Sequence, residues 1–579
     1  MTAPDPFSLP PATPEPRRRN VLFPILIGGG LLTVILLIVV GGAALAFTLL
    51  TQRANNLPEL LPAETQIYAT FTPNLSDLPN IERLRQAFPE TFDYQESEAT
   101  SDLLAERFGV TFAEDIAPWI GTEMAIALYG LPIEALTNLS GLEPADPMNP
   151  FSTALDRETN ILLLAAVRDQ RAAQAFLDKQ RAFREQNGER FTTNTINNVT
   201  IYASESDTTP FAAFALARNT VVFANKAENI ATLVQQENDS TLARNTSFQA
   251  VIQALPGDRM ATIYISGDTI ARLTDAVLES YADTATTTFN DVQAAAQALQ
   301  GVGLTMAVIE RGLRFDAVSV FDQNRLGNDL RERIAQLRPA VSPERAGDVD
   351  SAALGVFSFL IPEDWGQQLR DQLAASPETA NTLDNLESSL NIDFERDLFR
   401  WFHGEGVITV LPLASNDLPV GGYFALRVAD RSAAEQGMER ISAFVADSFG
   451  LVFTDTSLGR TQVQAIEEGD LFVGYGFNGN DLVIAFGRQA MESAFGAEQK
   501  LSSQSDYADA LRALPSPNSG ILHVNLTAVR ELYNRVGTDL VDPDLEQRLA
   551  PFKAITSTGT VGLNNQGALR GTLLLSIGS

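Results

Sequence analysis

Cysteine is absent from the 579-residue chain, and histidine occurs only as His403 and His523. The first absence excludes disulfides, thiol nucleophiles, iron–sulfur clusters and cysteine-ligated zinc. The second leaves almost nothing for a histidine metal site or a Ser–His–Asp centre. Positive charge is also scarce. Lys and Arg together number 41 against 72 Asp and Glu, a net charge of −31, and only Lys179, Lys226, Lys500 and Lys553 are lysines. A surface that acidic repels phosphate backbones and anionic lipid heads, so nucleic acid is excluded as a partner. Without a Gly-Lys dipeptide there is no Walker A loop, and Ser-x-x-Lys, Gly-x-Ser-x-Gly and His-Glu-x-x-His are missing too.

Long apolar runs are missing everywhere but one place. Residues 21–50, VLFPILIGGGLLTVILLIVVGGAALAFTLL, carry no charge over 30 positions, and a helix needs about 20 to cross a bilayer. A signal-peptide core runs roughly 7–15 residues. Here Phe47–Leu50 continue past the small residues at Ala44 and Ala46. The expectation is an uncleaved signal anchor with the bilayer as its partner. Arg17, Arg18 and Arg19 precede the span and only Arg53 follows closely. The positive-inside rule then leaves the Pro-rich, disordered tail 1–20 in the cytoplasm and the rest extracytoplasmic, a single-pass protein of the cell membrane.

The remaining chain is too long for one core, since cores stop growing near about 250–300 residues. Its 45% hydrophobic and 20% charged composition is that of a globular protein. Aligned with itself, the chain repeats. Phe112–Glu123 matches Phe394–Glu405 without gaps at an offset of 282, with Phe, Asp, Trp and Glu in register. Val167-Arg-Asp169 matches Val428-Ala-Asp430, and Thr220–Ala224 matches Asp481–Ala485, both at 261. Phe248–Pro256 matches Tyr507–Pro515 at 259. Four blocks in one order predict two homologous units. The expected division is tail 1–20, span 21–50, juxtamembrane linker 51–58, unit 59–330, linker 331–344 and unit 345–579.

Within each unit, strand and helix signals mix. Met124–Tyr129 and Thr262–Ile265 alternate with period 2. Phe211–Ala217 with Thr220–Ala224, and Leu471–Phe477 with Asp481–Phe486, read as hairpins, the second turning at Asn478-Gly479. Ala173, Phe176, Leu177, Gln180 and Phe183 trace a helical stripe, as do Ala434, Met438, Ile441, Val445 and Phe449. Ser432-Ala-Ala-Glu435 has the spacing of a capping box. Hairpins outnumber crossovers, which predicts an α+β fold of antiparallel sheet with packed helices.

Leu61-Pro-Ala-Glu-Thr-Gln-Ile-Tyr-Ala-Thr-Phe71, just after a single span, resembles the opening of the bacterial family catalogued as domain of unknown function 3352 (DUF3352). The later blocks, with Asp115-Ile-Ala-Pro-Trp-Ile-Gly121, are similar to it as well. The resemblance implies a membrane-anchored envelope protein without an assigned activity, and it supplies no catalytic residues.

The remaining motifs resolve into structure rather than chemistry. Gly474-Tyr-Gly-Phe-Asn-Gly479 has the dinucleotide-loop spacing, but a strand follows it where that loop needs a helix. His523 alternates with Leu522 and Val524 and stands where the first unit has Tyr264, which reads as a tolerant surface position. Asp115 with Glu123, and Asp397 with Glu405, recur and could serve as a glycosidase pair. Recurrence reads more simply as a fold requirement, such as a helix cap or an indole acceptor. Trp119 and Trp401 are each expected to close one end of a core. No catalytic, cofactor or metal residue is assigned. The expected function is non-enzymatic binding or scaffolding in the bacterial envelope, with an unknown envelope protein or ligand as partner. The alternatives are a carboxylate-dependent glycan hydrolase and a carrier of a lipid or other apolar ligand.

Overall fold

The computed structural model describes residues 56–72, 78–88, 108–132, 159–206, 211–279, 287–374, 381–390, 392–415, 418–459, 461–469, 471–536 and 550–578. The expected tail and span, 1–20 and 21–50, lie outside the described residues. Among the described residues no helix is long and apolar enough to cross a membrane.

The fold is α+β and its sheet is antiparallel throughout. The first half contributes β1 (Ile67–Phe71), β2 (Ile120–Tyr129), β3 (Asn160–Val167), β4 (Phe191–Ile196), β5 (Val199–Ser204), β6 (Ala213–Ala217), β7 (Thr220–Ala224), β8 (Ala261–Ser266), β9 (Leu299–Ile309) and β10 (Gly312–Phe321). The second contributes β11 (Gly355–Ile361), β12 (Gly404–Pro412), β13 (Val420–Arg427), β14 (Thr454–Leu458), β15 (Thr461–Glu468), β16 (Leu471–Asn478), β17 (Asp481–Phe486), β18 (Asn518–Asn525), β19 (Phe552–Thr560) and β20 (Ala568–Ile577). Pairing in the first half runs β4-β5-β6-β7-β3-β2-β1-β8-β9-β10. In the second it runs β14-β15-β16-β17-β13-β12-β11-β18-β19-β20, the same order. Strands β10 and β20 then pair with each other, which joins the halves into one 20-stranded sheet.

Register agrees with the sequence offsets. Leu164 lies opposite Val222, and 261 residues on Ala425 lies opposite Val483. Tyr68 lies opposite Tyr264, and Val356 opposite His523. Because side chains alternate across a strand, matching register puts matching residues on the same face.

Both faces carry helices. On the front face, the helix Gln170–Gln186 buries Ala173, Phe176 and Leu177 against Phe214 and Val221. The helix Arg431–Phe449 buries Ala434 and Met438 against Leu426 and Leu482. On the back face, Ala227–Gln235 and Thr246–Ala254 cover Ala125, Leu162 and Tyr264. Arg488–Gly496 and Ser505–Ala513 cover Val407, Ala425 and Ile521.

Asp169 opens the first front helix by accepting the Arg171 and Ala172 amides at 2.9 and 3.0 Å. Asp430 opens the second by accepting from Ala433 at 2.9 Å. Such caps stabilise a helix by about 1 kcal/mol. The capping box expected at Ser432 is therefore displaced: the aspartate two residues earlier takes the free amide, and Glu435 pairs instead with Arg431 at 2.8 Å.

The segment 331–344, expected as a linker, belongs largely to the fold. The helix Asn328–Leu337 buries Ile334, Val341 bridges to Asn518, and the short helix Pro343–Gly347 starts from Ser342. Proline at the first turn loses no needed amide and presets the helical φ. What read as linker composition is a helix start.

Candidate functional site

The two recurring tryptophans are buried, and each indole Nε1–H donates to the backbone carbonyl four residues back. Trp119 donates to Asp115 O at 2.8 Å and Trp401 to Asp397 O at 2.7 Å. The aspartate carboxylates turn to the front helices. Asp115 meets Lys179 at 2.7 Å, and Asp397 meets Arg440 and Arg396. Lys179 and Arg440 are themselves 261 residues apart. The Arg396 hydrogen bonds, with help from Asp393 N–H and Arg440, pull the Asp397 carboxyl down to about 2. Burial raises Asp115, but Lys179 and the Thr111 amide outweigh it, and the net shift is downward.

The recurring glutamates point the other way. Glu123 meets Tyr68 at 3.5 Å and the backbone amide of Leu57 on the back face, and burial pushes its carboxyl up to about 7. Glu405 accepts the Ser342 amide at 2.9 Å, also on the back face. In each half the acid therefore braces the residue before a proline, Pro58 or Pro343. Asp and Glu lie on opposite sides of the sheet, so neither pair can flank one glycosidic bond.

His523 is buried, not at the surface. Its Nδ1 lies 2.8 Å from Thr556 Oγ1, and its ring meets Tyr507 edge-on at 5.1 Å. Phe248 and Tyr264 form the matching pair at 5.0 Å. Burial pulls the His523 imidazole down to about 4, although nearby Asp506 acts to raise it. The alternation was right and the buried side was not: Leu522 is the exposed neighbour. His403 sits at a turn, with Nε2 3.3 Å from Arg400 O. Gly474–Gly479 lies in the β16–β17 hairpin, whose two-residue turn is Gly479-Asn480, one position beyond the expected one. Among the described residues, no group of three metal-ligating side chains comes together.

The joint between the halves is where unassigned features converge. On the back face Asp316, wholly buried at 0% side-chain exposure, lies opposite Thr572. It accepts from Arg314 Nε at 2.9 Å, Arg570 at 2.6 and 3.0 Å, and Thr572 Oγ1 at 2.7 Å. Arg314 also binds Asp258 at 2.7 Å and holds that carboxyl below its usual range. One carboxylate thus ties β10 to β20.

On the front face of the same strands lies a cavity of about 380 Å³, lined by Ile263, Leu304, Met306, Phe315, Ala317 and Leu573 among others. Ile81, from the helix Leu78–Ala87, packs in one apolar cluster with Met306 and Phe315 beside it. The floor continues into the second half. Phe315 lies opposite Leu573, Leu573 opposite Ser557, Ser557 opposite Leu522, Leu522 opposite Phe357, and Phe357 opposite Ile408. Sequence reading missed this site, because its residues come from five strands and no motif. The alternating apolar residues of β10 and β20 were its one available signal.

In the second half this row is partly exposed. Phe357, Ile408 and Leu522 are 43, 43 and 41% exposed, and Val410 is 38% exposed. At the matching positions of the first half, Ala69, Ile263 and Leu128 are 8, 7 and 7% exposed, and Ile126 is partly buried. There the helix Gly267–Glu279 lays Leu273 and Ala276 over Ile126 and Leu128. The corresponding helix, Leu526–Val536, buries none of its residues.

Crystal form IV of TP0453 resembles the chain at 10% identity, over 45% of this chain and 79% of that one, with a TM-score of 0.22. Crystal form III of TP0453 also matches at 10% identity, over 50% and 88%, with a TM-score of 0.22. Overlap that slight carries no argument. No curated protein matches the chain. Residues 31–577 match the family described as a protein of unknown function (DUF3352), and with nearly the whole chain inside that match, this protein belongs to the DUF3352 family.

Proposed function

We propose that this protein is a non-enzymatic, envelope-anchored binder of an apolar ligand, held in the front-face cavity where the two halves join. The single observation that carries the reading is the cavity itself. Its volume of about 380 Å³ lies within the range of about 300–1,000 Å³ usual for ligand sites. The surface it presents is predominantly apolar, although Thr305, Asp316, Ser557, Thr558 and Thr572 also border it. The anchor rests on the charge-free run 21–50 and the arginines before it. The ectodomain is acidic, which favours an uncharged ligand over an anionic lipid. A carboxylate hydrolase draws no support from acids on opposite faces of a sheet. The common strand order and the slowly drifting offsets support descent of the two halves from one duplicated unit.

The reading is tested on the full chain in lipid nanodiscs, with a long-chain alcohol bearing a diazirine. Cross-linked peptides should map to β9, β10 and β20. Ala317→Arg should abolish that labelling while leaving the melting midpoint unchanged, because Ala317 is exposed within the cavity. Labelling scattered over the surface, or unaffected by Ala317→Arg, would overturn it.

A further inference from the structure

The apolar row does not stop at the cavity. Beyond Leu573 and Ser557 it crosses β18, β11 and β12 through Leu522, Phe357 and Ile408, with Val410 beside it. The row follows the hydrogen-bonding direction, one residue per strand. From Phe315 on β10 to Ile408 on β12 there are five strand spacings, roughly 24 Å of sheet at about 4.8 Å each. At its far end Val410, Val420 and Phe486, also exposed on this face, widen the row to about two residues; a strip so much longer than it is wide suits a linear hydrocarbon better than a fused-ring one. The neighbouring positions on the same face are Gly355, Phe359 and Val524, none of them charged. A patch of large apolar side chains this exposed, and contiguous with a cavity, is what a ligand groove looks like when empty. The first half shows the alternative at two of these positions: a helix packs over Ile126 and Leu128, the counterparts of Ile408 and Val410.

We infer that the ligand is a single, long, unbranched acyl or alkyl chain lying across the strands, seated in the joint cavity at one end and on Leu522, Phe357 and Ile408 of the second half at the other. This rests on the cavity-binding reading and adds the ligand's class and direction. The second half thereby becomes the measure of chain length. A short chain reaches only the cavity; a long chain also covers the exposed row.

The experiment compares diazirine-bearing octanol and octadecanol on the full chain in nanodiscs. Octanol should label β9, β10 and β20 only. Octadecanol should label those strands and also β11, β12 and β18, and should outcompete octanol by at least about tenfold, a modest return for the added methylenes. Phe357→Glu should remove the octadecanol advantage and the labelling of β11 and β12, and leave octanol labelling as it was. Phe357 is half-exposed, so the fold should tolerate the change. Should that variant lose its melting transition, Ile408→Ser, at a position equally exposed, carries the same test. If octadecanol labels the cavity strands alone and gains no advantage, the long-chain assignment is wrong while cavity binding stands. If neither probe labels the cavity, both readings fail.

Discussion

The two halves share one frame and finish it differently. Strand order, register, the front-helix aspartate caps and the indole-to-carbonyl bonds recur across them. The covering of the front face does not. A helix buries Leu128 and packs against partly buried Ile126 in the first half, and the second half leaves Val410 and Ile408 half-exposed. Ring packing differs as well. Phe176 lies over Trp119 at 5.0 Å, but the matching position in the second half is Gly437, where a Cβ would sit 2.3 Å from the Trp401 Nε1. A duplicated frame can keep its hydrogen bonds while its surfaces diverge, because backbone pairing fixes the strands and the exposed face only has to avoid a large penalty.

The comparison breaks first at its strongest common point. Trp119→Ala and Trp401→Ala should each cost about 3–5 kcal/mol, since both rings are buried. Calorimetry of the two variants tests this. A melting point unchanged in either would mean that the indole does not hold that half's core.

The joint comes next. Asp316→Ala leaves the Arg314 and Arg570 guanidinium groups facing each other on the back face. Removing one partner of such a buried network costs about 3 kcal/mol or more. Arg570 is partly exposed, which keeps the expected loss at the low end. Denaturant unfolding followed by tryptophan fluorescence should show the loss. Because both halves contribute to the cluster, it should appear for both.

pH then separates the halves. Burial raises Glu123 to about 7, so the folded state holds a proton that the unfolded state releases. Stability from this group is full below the ordinary glutamate range and falls as pH rises to about 7, by on the order of 3 kcal/mol. Burial lowers His523 to about 4, so the unfolded state takes up a proton first. Stability from this group is full above the ordinary histidine range and is lost as pH falls to about 4, by a similar amount. Glu123→Gln should therefore flatten the loss on the alkaline side. His523→Tyr, which restores the first-half residue, should flatten the loss on the acid side. Melting points across pH 4 to pH 8 check both, and no change in slope for either variant would refute its assignment.

The smallest effect sharpens the contrast most. Val410→Ala should change stability by less than about 1 kcal/mol, because much of the side chain is already in water. Leu128→Ala, at the matching position, should cost about 2–5 kcal/mol. Equal costs would mean that the second-half row is covered in solution.

Much of the frame was legible in the residues. Period-2 alternation marked the strands, and fixed offsets predicted which strand pairs would match, as Ala425 with Val483 shows. The recurring Asp and Trp were readable as fold requirements, although the indole acceptor is the aspartate's carbonyl and not its carboxylate. His523 marks where reading ended. Alternation sets it opposite Leu522, and hydrophobicity alone puts Leu522 on the buried side. Burial went to the histidine, because the back-face helix Ser505–Ala513 brings Tyr507 against it.

The sequence by itself determined the alternation of each strand, the apolar stripe of each front helix, and the equivalence of the two halves. These depend on local side-chain chemistry and on spacing along the chain. Only the tertiary structure decided which face each half covers, and that β10 joins β20 to leave a cavity beside the joint. The physical reason is that strand pairing is made by backbone amides and carbonyls, which every residue but proline carries in full. The front of these central strands is apolar and the back pairs its charges internally, so either can be buried; the choice falls to whichever helix packs there, and that lies far along the chain.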